Sequence, residues 1–385
     1  MKICFVGSDN LPVLAPEYAD GAVGGESVQQ TLIARALARR GYEISMVVSD
    51  RGQPDGAQWD GIRVFRSFRP GAGIPVLRFF HPRWTGLWSA LTRADADIYY
   101  TSCAGMHVGL VALFCRRFRR RFVFRAASDP DCDSARLPLL VRYARDRWLY
   151  IYGLRRADAR LVQSDVQARA LASSYRLPSR IAGMLVDAPA CVAARDIDVL
   201  WIGNIKPVKR PDRILEIGAR LPRTTIHVAG GETPGEEACY RHFTAGARDA
   251  DNIVYHGRLP YREATALYGR ARVLLNTSDV EGFPNAYLQA WISGVPVVTR
   301  IDPDAIIARE GLGYTADSSE GLADAVDRLL NDEPHWQSTS DRCRNYMARA
   351  YDEDRILREY LDTFRSVMRG SAAPPPTFAA SRRHV

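Results

Sequence analysis

No apolar run in this chain approaches the roughly 20 residues that a membrane-spanning helix needs, so any attachment to a bilayer is expected to be peripheral. No C-x-x-C pair occurs among the seven cysteines, and their number is odd. That speaks against a zinc site or a disulfide framework and for reduced thiols in a cytoplasmic setting. The opening residues, 1–7, have too short an apolar part for a signal peptide and read as a first buried strand. G-x-G-x-x-G is absent, which ranks a nicotinamide-dependent oxidoreductase low. No D-x-D-like acidic pair or His/Cys cluster stands at an evident ligand-binding turn. Nucleic acid is not an expected partner either.

What is present points to two globular domains. The chain has 385 residues, 46% of them hydrophobic, enough for two cores. The net charge of +8 is unevenly placed: residues 1–178 hold 26 Lys+Arg against 16 Asp+Glu, and the remainder 26 against 28. A basic first half suggests an anionic membrane surface or an acidic acceptor as partner. The strongest basic run is 116–121, Arg-Arg-Phe-Arg-Arg-Arg.

Along the chain, short apolar strands alternate with helical patterns. Residues 2–7, 44–48, 62–65, 97–101, 122–124 and 161–164 read as strands of a first domain spanning 1–178. Gly24-Gly25-Glu26-Ser27 opens a helix between the first two, and paired glycines there let a ligand approach a helix N-terminus. Residues 70–88 read as an irregular aromatic segment that lines an acceptor groove, dips into a membrane surface or simply packs as a loop. His107 reads as structural. Residues 139–156 read as a helix rich in arginine, Trp148, Tyr150 and Tyr152. Ser128 and Asp129 follow a strand end, where parallel sheets bind ligands. A second domain over 196–345 opens with a strand at 198–203. The turn after it carries the amide of Asn204 and two cations, Lys206 and Lys209, suited to a diphosphate beside a helix end. Strands at 225–229 and 253–256 follow, the second leading to Gly257 and Arg258. Residues 346–369 form a C-terminal helix expected to return to the first domain, and 370–385 a disordered tail.

The densest signal is residues 276–299, which read as strand, loop, helix, strand. Pro284 suits the first helical position, and Gly294 suits the helix end. Asn285 and Gln289 are four apart and share a helix face, with Glu281 one such step earlier in the loop. Leu288 and Trp291 turn to the sheet. A carboxylate, two amides and the N–H groups of a helix start suit a ligand bearing both phosphate and hydroxyls, such as a nucleotide-sugar.

Glu281-Gly282-Phe283-Pro284-Asn285, followed by Gly294-Val295-Pro296-Val297-Val298, resembles the donor-site signature of family 4 of the retaining GT-B glycosyltransferases. The resemblance extends over most of the chain. It implies two Rossmann-like, doubly wound α/β domains facing a cleft. It implies transfer of a hexose-type sugar from a nucleotide-sugar to a glycan or lipid-linked acceptor hydroxyl, with retention and without a metal, as in bacterial polysaccharide or glycolipid synthesis at the inner membrane face. By the same resemblance Glu281 lies near the transferred sugar, Gln289 occupies the position that usually holds the ribose, Lys209 matches the diphosphate lysine, Gly257 and Arg258 lie near the base, and Gly24, Gly25 and Glu26 face the sugar or acceptor. Three positions depart from the pattern. Gln289 replaces a second glutamate, Asn204 replaces an arginine, and no histidine stands in the strand-end loop, where Ser128 and Asp129 are the polar groups. A non-catalytic nucleotide-sugar- or glycan-binding protein derived from such an enzyme is the alternative these departures leave open.

Overall fold

β-branched and aromatic runs are too short for helices but long enough to be buried on both faces, and amphipathic stretches separate them. The computed structural model, which describes residues 1–18, 24–75, 77–187 and 194–370, turns this alternation into two mostly parallel sheets. The first unit comprises Met1–Leu14, Gln29–Met184 and the chain from Glu353 onward. Its strands are β1 (Lys2–Val6), β2 (Glu43–Val48), β3 (Gln58–Trp59), β4 (Ile62–Arg66), β5 (Ile98–Ser102), β6 (Arg121–Arg125), β7 (Ala159–Val162) and β8 (Arg180–Ile181). They lie in the order β3-β4-β2-β1-β5-β6-β7-β8, parallel except for the β3–β4 pair. Strand β5 is buried at every position, as a central strand covered on both faces must be.

The second unit comprises Ala15–Val28 and Leu185–Asp352. Its strands are β9 (Ile197–Ile202), β10 (Ile226–Ala229), β11 (Ile253–Gly257), β12 (Ala271–Asn276), β13 (Val297–Thr299) and β14 (Gly313–Thr315). All are parallel, in the order β11-β10-β9-β12-β13-β14. In each sheet the winding reverses beside the first strand, between β1 and β5 and between β9 and β12. Loops leaving the carboxyl ends on either side of such a reversal diverge and open a crevice, where doubly wound sheets bind ligands.

Several elements differ from the sequence reading. The helix expected over 139–156 begins only at Ala144 and runs to Arg156, because Tyr143 is extended (φ −89°, ψ 133°) and Leu137–Leu139 forms a separate tight turn around Pro138. The aromatic segment 70–88 is not wholly irregular: a helix occupies Thr85–Ala94. A division at residue 345 would cut an unbroken helix, Glu333–Ala350. The helix over Glu353–Met368 buries Tyr360 and Phe364 beside Tyr100 of β5, at centroid distances of 6.4 and 6.3 Å, and its Tyr360 hydroxyl donates to the Gly183 carbonyl at 2.9 Å. Residues 371–385, most of the expected disordered tail, lie outside the described residues.

Candidate functional site

The reversal in the second sheet places two loops side by side: residues 203–211, after β9, and residues 277–284, after β12. Trp201 of β9 is buried, and its indole N–H donates to the Thr277 hydroxyl at 3.0 Å. That hydroxyl donates in turn to the Lys209 carbonyl at 2.7 Å. The Asp279 N–H donates to the Val208 carbonyl at 3.0 Å. The second loop is thus fastened to the turn that carries Lys209.

These fastenings bring together two residues that lie 72 positions apart: the Lys209 ammonium donates to a Glu281 carboxylate oxygen. The same oxygen accepts from the Ser278 hydroxyl at 2.8 Å. Both charged side chains are mostly shielded, with exposures of 23% and 14%. Lys206 and Asn204 lie in the same turn, Lys206 in extended conformation immediately before the tight turn Pro207–Lys209. One signal here was available to sequence reading and missed. The chain has only three lysines among its 52 basic residues, and two of them are Lys206 and Lys209. An ammonium is a compact charge that suits a phosphate, whereas arginine favours planar pairing.

A second feature was also missed. Asp279 accepts hydrogen bonds from three arginines: Arg213 at 2.7 Å, Arg300 at 2.6 Å and Arg210 at 3.3 Å. Arg213 is itself buried and also donates to the Thr277 carbonyl at 2.8 Å. Burial raises the Asp279 pKa, but the Arg213 hydrogen bond and charge, with those of Arg210, outweigh it and hold the carboxyl below its usual range. The cluster joins the turn after β9, the helix Asp212–Arg220 and the end of β13.

The helix after the second loop spans Asn285–Ile292. Pro284 is not its first residue, as expected, but its N-cap, with ψ of 124° too extended for a helical position. Phe283 and Pro284 are buried, and Phe283 meets Trp291 edge to face at 6.3 Å. Leu288 and Trp291 turn into the core. Gly294 follows the helix with φ of +69°, the left-handed conformation that ends helices. Asn285 and Gln289 lie four apart on this helix, as expected, and both are already engaged. Gln289 is 7% exposed, and its amide donates to the Tyr261 hydroxyl at 3.2 Å, a partner on a neighbouring helix that spacing cannot reveal. The Asn285 amide donates to the Gly25 carbonyl at 2.5 Å. A Cβ at residue 25 would stand 2.6 Å from that amide nitrogen, so a side chain there would displace the Asn285 amide. Gly24 and the half-buried Glu26 flank it, and the Gly24 carbonyl accepts the first bond of the helix Gly25–Arg39. Gly282 lies between Glu281 and Phe283 in the loop. Gly257 and Arg258 lie at the end of β11, two strands from the reversal. Arg258 donates to the Glu232 carbonyl at 2.5 Å.

Ser128 and Asp129 belong to the first unit, at the end of β6. Asp129 accepts from the Gln167 amide at 3.1 Å, so its carboxylate is already engaged. The residue that organises this loop is Asp131, which sequence reading passed over. It is fully buried and accepts from the N–H groups of Ala127 at 2.7 Å, Ser128 at 2.9 Å and Ala104 at 3.0 Å. Burial raises its pKa, opposed by those bonds. Asp129-Pro130-Asp131-Cys132-Asp133 does contain alternate carboxylates. They point to separate partners, however, Asp133 accepting from the Ala135 N–H at 2.9 Å. Among the described residues no group of three or more His, Cys, Asp and Glu could hold a metal ion. At the reversal in the first sheet, buried Asn10 donates to Gln30 at 3.1 Å, and Gln30 to Ser102 at 2.9 Å. His107 meets the Ser102 carbonyl at 3.1 Å, and burial holds its pKa below the usual value.

Comparison with known proteins bears on both halves. Residues 24–184 match the family model described as glycosyl transferase 4-like domain, and residues 196–332 that of glycosyl transferases group 1. A D-inositol 3-phosphate glycosyltransferase of Mycobacterium leprae is 30% identical over 200 residues, 45% of this chain and 46% of the relative. One of Frankia alni is 28% identical over 160 residues, 37% and 39%. The chain therefore spans less than half the length of these relatives. Among solved structures, sucrose-phosphate synthase from Thermosynechococcus elongatus superposes with a TM-score of 0.75 at 16% identity, covering 96% of this chain and all of that one. Anabaena HepE in complex with UDP and glucose gives 0.70 at 16%, covering 95% and 100%. WaaG, a glycosyltransferase involved in lipopolysaccharide biosynthesis, gives 0.68 at 17%, covering 94% and 98%. The fold is that of the GT-B enzymes.

Proposed function

We infer that this chain, which belongs to the glycosyltransferases, moves a hexose-type sugar from a nucleoside-diphosphate sugar to the hydroxyl of a glycan or lipid-linked acceptor, with retention of anomeric configuration. One observation carries the reading: Lys209 and Glu281, from loops on opposite sides of the β9–β12 reversal, meet at the carboxyl edge of the sheet. A donor diphosphate competes with the Glu281 carboxylate for the Lys209 ammonium. Once the phosphates take that ammonium, it neutralises charge developing on the leaving diphosphate. Glu281 is released towards the sugar, where its carboxylate accepts hydroxyls and stabilises positive charge at the anomeric carbon. Gln289, steadied by Tyr261, is placed a turn further along the helix for the ribose, where an amide both donates and accepts. Asn285 and Gly25 hold the glycine-rich turn beside the same helix start. HepE, crystallised with UDP and glucose, favours a uridine donor, and WaaG, with its role in lipopolysaccharide biosynthesis, favours a bacterial glycan or glycolipid product.

A thermal-shift panel of UDP-, GDP- and ADP-sugars identifies the donor, because a ligand that binds the native state raises its apparent stability. Transfer to candidate acceptors is then followed, with the anomeric configuration of the product read by NMR. A retained configuration is the expected result. Inversion would overturn the mechanism, and binding without transfer to any acceptor would favour the non-catalytic alternative.

A further inference from the structure

Large apolar side chains on the surface are concentrated in two stretches of the first unit. Ile74, Leu77 and Phe80 belong to one, and Leu139, Tyr143 and Trp148 to the other. All six are between 57% and 71% exposed. Scattered exposed leucines need no explanation, but these are gathered. The Arg145 guanidinium lies 3.7 Å from the centroid of the Phe79 ring, which joins the two stretches at their centre. Phe79 is buried and packs edge to face on Phe80 and Trp84 at 5.1 and 5.8 Å. The exposed Phe80 therefore stands on a packed aromatic base. Trp148 stacks on Tyr152 at 5.7 Å, and Arg147 ties the approach to its helix by donating to the carbonyls of Val141 at 3.1 Å and Arg142 at 2.7 Å.

The charge around these tips is mostly positive, although Arg69 pairs with Asp50 at 3.5 Å. Residues 69–84 and 136–148 contain seven arginines, no lysine and a single acidic residue, Asp146, which Arg145 binds at 2.8 Å. The longer basic run at 116–121 is a poorer candidate for an anionic partner. Arg120 pairs with Asp95 at 2.5 Å and Arg121 with Asp158 at 3.2 Å, while Arg117 lies over the Phe118 ring.

We propose that the surface built from residues 74–75, 77–84 and 137–148 docks on an anionic lipid bilayer. Its apolar and aromatic tips enter the headgroup boundary, and its arginines engage lipid phosphates. Tryptophan and tyrosine favour that boundary. A combination of inserted apolar side chains and basic residues anchors a protein that lies on a membrane without crossing it. Among the described residues no helix is long and apolar enough to cross one. The proposal stands independently of the donor chemistry, since none of these residues belongs to the donor site.

The test is flotation of the full chain with vesicles of phosphatidylcholine alone and of equal parts phosphatidylcholine and phosphatidylglycerol. The expected result is partition onto the anionic vesicles only, weakening as salt is added. Arg142→Gln should lower the partition about fivefold, as one basic residue at a charged surface does. The double variant Phe80→Ser/Trp148→Ser should remove most of it at every salt concentration, and Arg120→Gln, already paired, should change it less than twofold. No binding to anionic vesicles, or equal binding by the double variant and the parent, overturns the proposal. So does a concentration-dependent dimer, by sedimentation velocity, that the double variant abolishes, because a second copy would then be the occupant.

Discussion

Lys209 and Glu281 share one hydrogen bond, yet their removal should register in different measurements. On the proposed reading Lys209→Ala takes away a charged donor to the diphosphate, and we expect nucleoside diphosphate affinity to fall by ~1.5–3 kcal/mol while nucleoside affinity changes little. Titration calorimetry with both ligands checks this, and equal losses for the two would remove Lys209 from the phosphate site. Glu281→Gln keeps the shape of the side chain and its hydrogen bond from Ser278 but removes the charge. If the carboxylate acts mainly on the transition state, turnover falls sharply and the Michaelis constant for donor stays near that of the parent. Gln289→Ala should do the reverse, because an interaction made equally in ground and transition states appears in KM. The contrast between the two variants, measured with the same donor and acceptor, is the informative quantity.

At the scale of elements, two carboxylates act as fasteners. Asp279 holds the turn after β9, the start of the helix Asp212–Arg220 and the end of β13 through three arginines. Asp279→Asn should loosen the Lys209 turn and raise KM for donor more than it lowers turnover. A double-mutant cycle with Arg213→Gln should show coupling of about 0.5–3 kcal/mol, the range for residues in one network, and strict additivity would mean that the cluster does not act as a unit. Asp131 fastens the loop after β6 by accepting from three backbone N–H groups. Asp131→Ala leaves those donors without their acceptor, each at a cost of about 1–3 kcal/mol. Urea unfolding should therefore show a lower midpoint at an unchanged slope, even though the variant relieves the burial of a carboxylate.

Across the whole molecule, acidity should act first through histidine. Burial holds His107, His227 and His256 below their ordinary value of 6.5, with the charges of His256 and Arg270 adding to the effect at His227 and that of Arg270 at His256. A group whose folded pKa is depressed binds fewer protons in the native state. Stability is therefore unaffected above the unfolded value and declines as pH falls below about 6.5 towards the folded value. Asp196, Asp212 and Asp279, all held below 3.8, stabilise the fold above that value and lose this contribution only in more acidic solution. Asp131, raised by burial, works in the opposite direction. The share due to His107 is isolated by comparing the parent with His107→Gln: between pH 7.5 and 5.5 the parent should lose more stability than the variant. Equal losses would show that His107 is not held neutral by the fold.

The alternation of short apolar strands with amphipathic helices was legible because both periods are local and burial on two faces selects β-branched and aromatic residues. For the same reason the turns carrying Lys209 and Glu281 could be read as strand-to-helix junctions, and the lysine count could have marked the first of them more strongly. Helix starts were read less well. The start at Ala144 depends on backbone angles at Tyr143 that residue type does not dictate, and the difference at Pro284 is a single residue. Strand order lay beyond reach, because the sequence of strands along the chain does not say that β12 lies beside β9. Only that neighbourhood brings Glu281 to Lys209, three arginines to Asp279 and Tyr261 to Gln289. The sequence left open whether the aromatic segment 70–88 faces a membrane, an acceptor or the core, since the same residues suit all three, and it did not show that this segment lies beside residues 137–148. The sequence by itself determined which segments fold locally and which chemistry each turn carries. The tertiary structure decided which turns meet, because long-range hydrogen bonds and packing join residues whose separation along the chain carries no record of their contact.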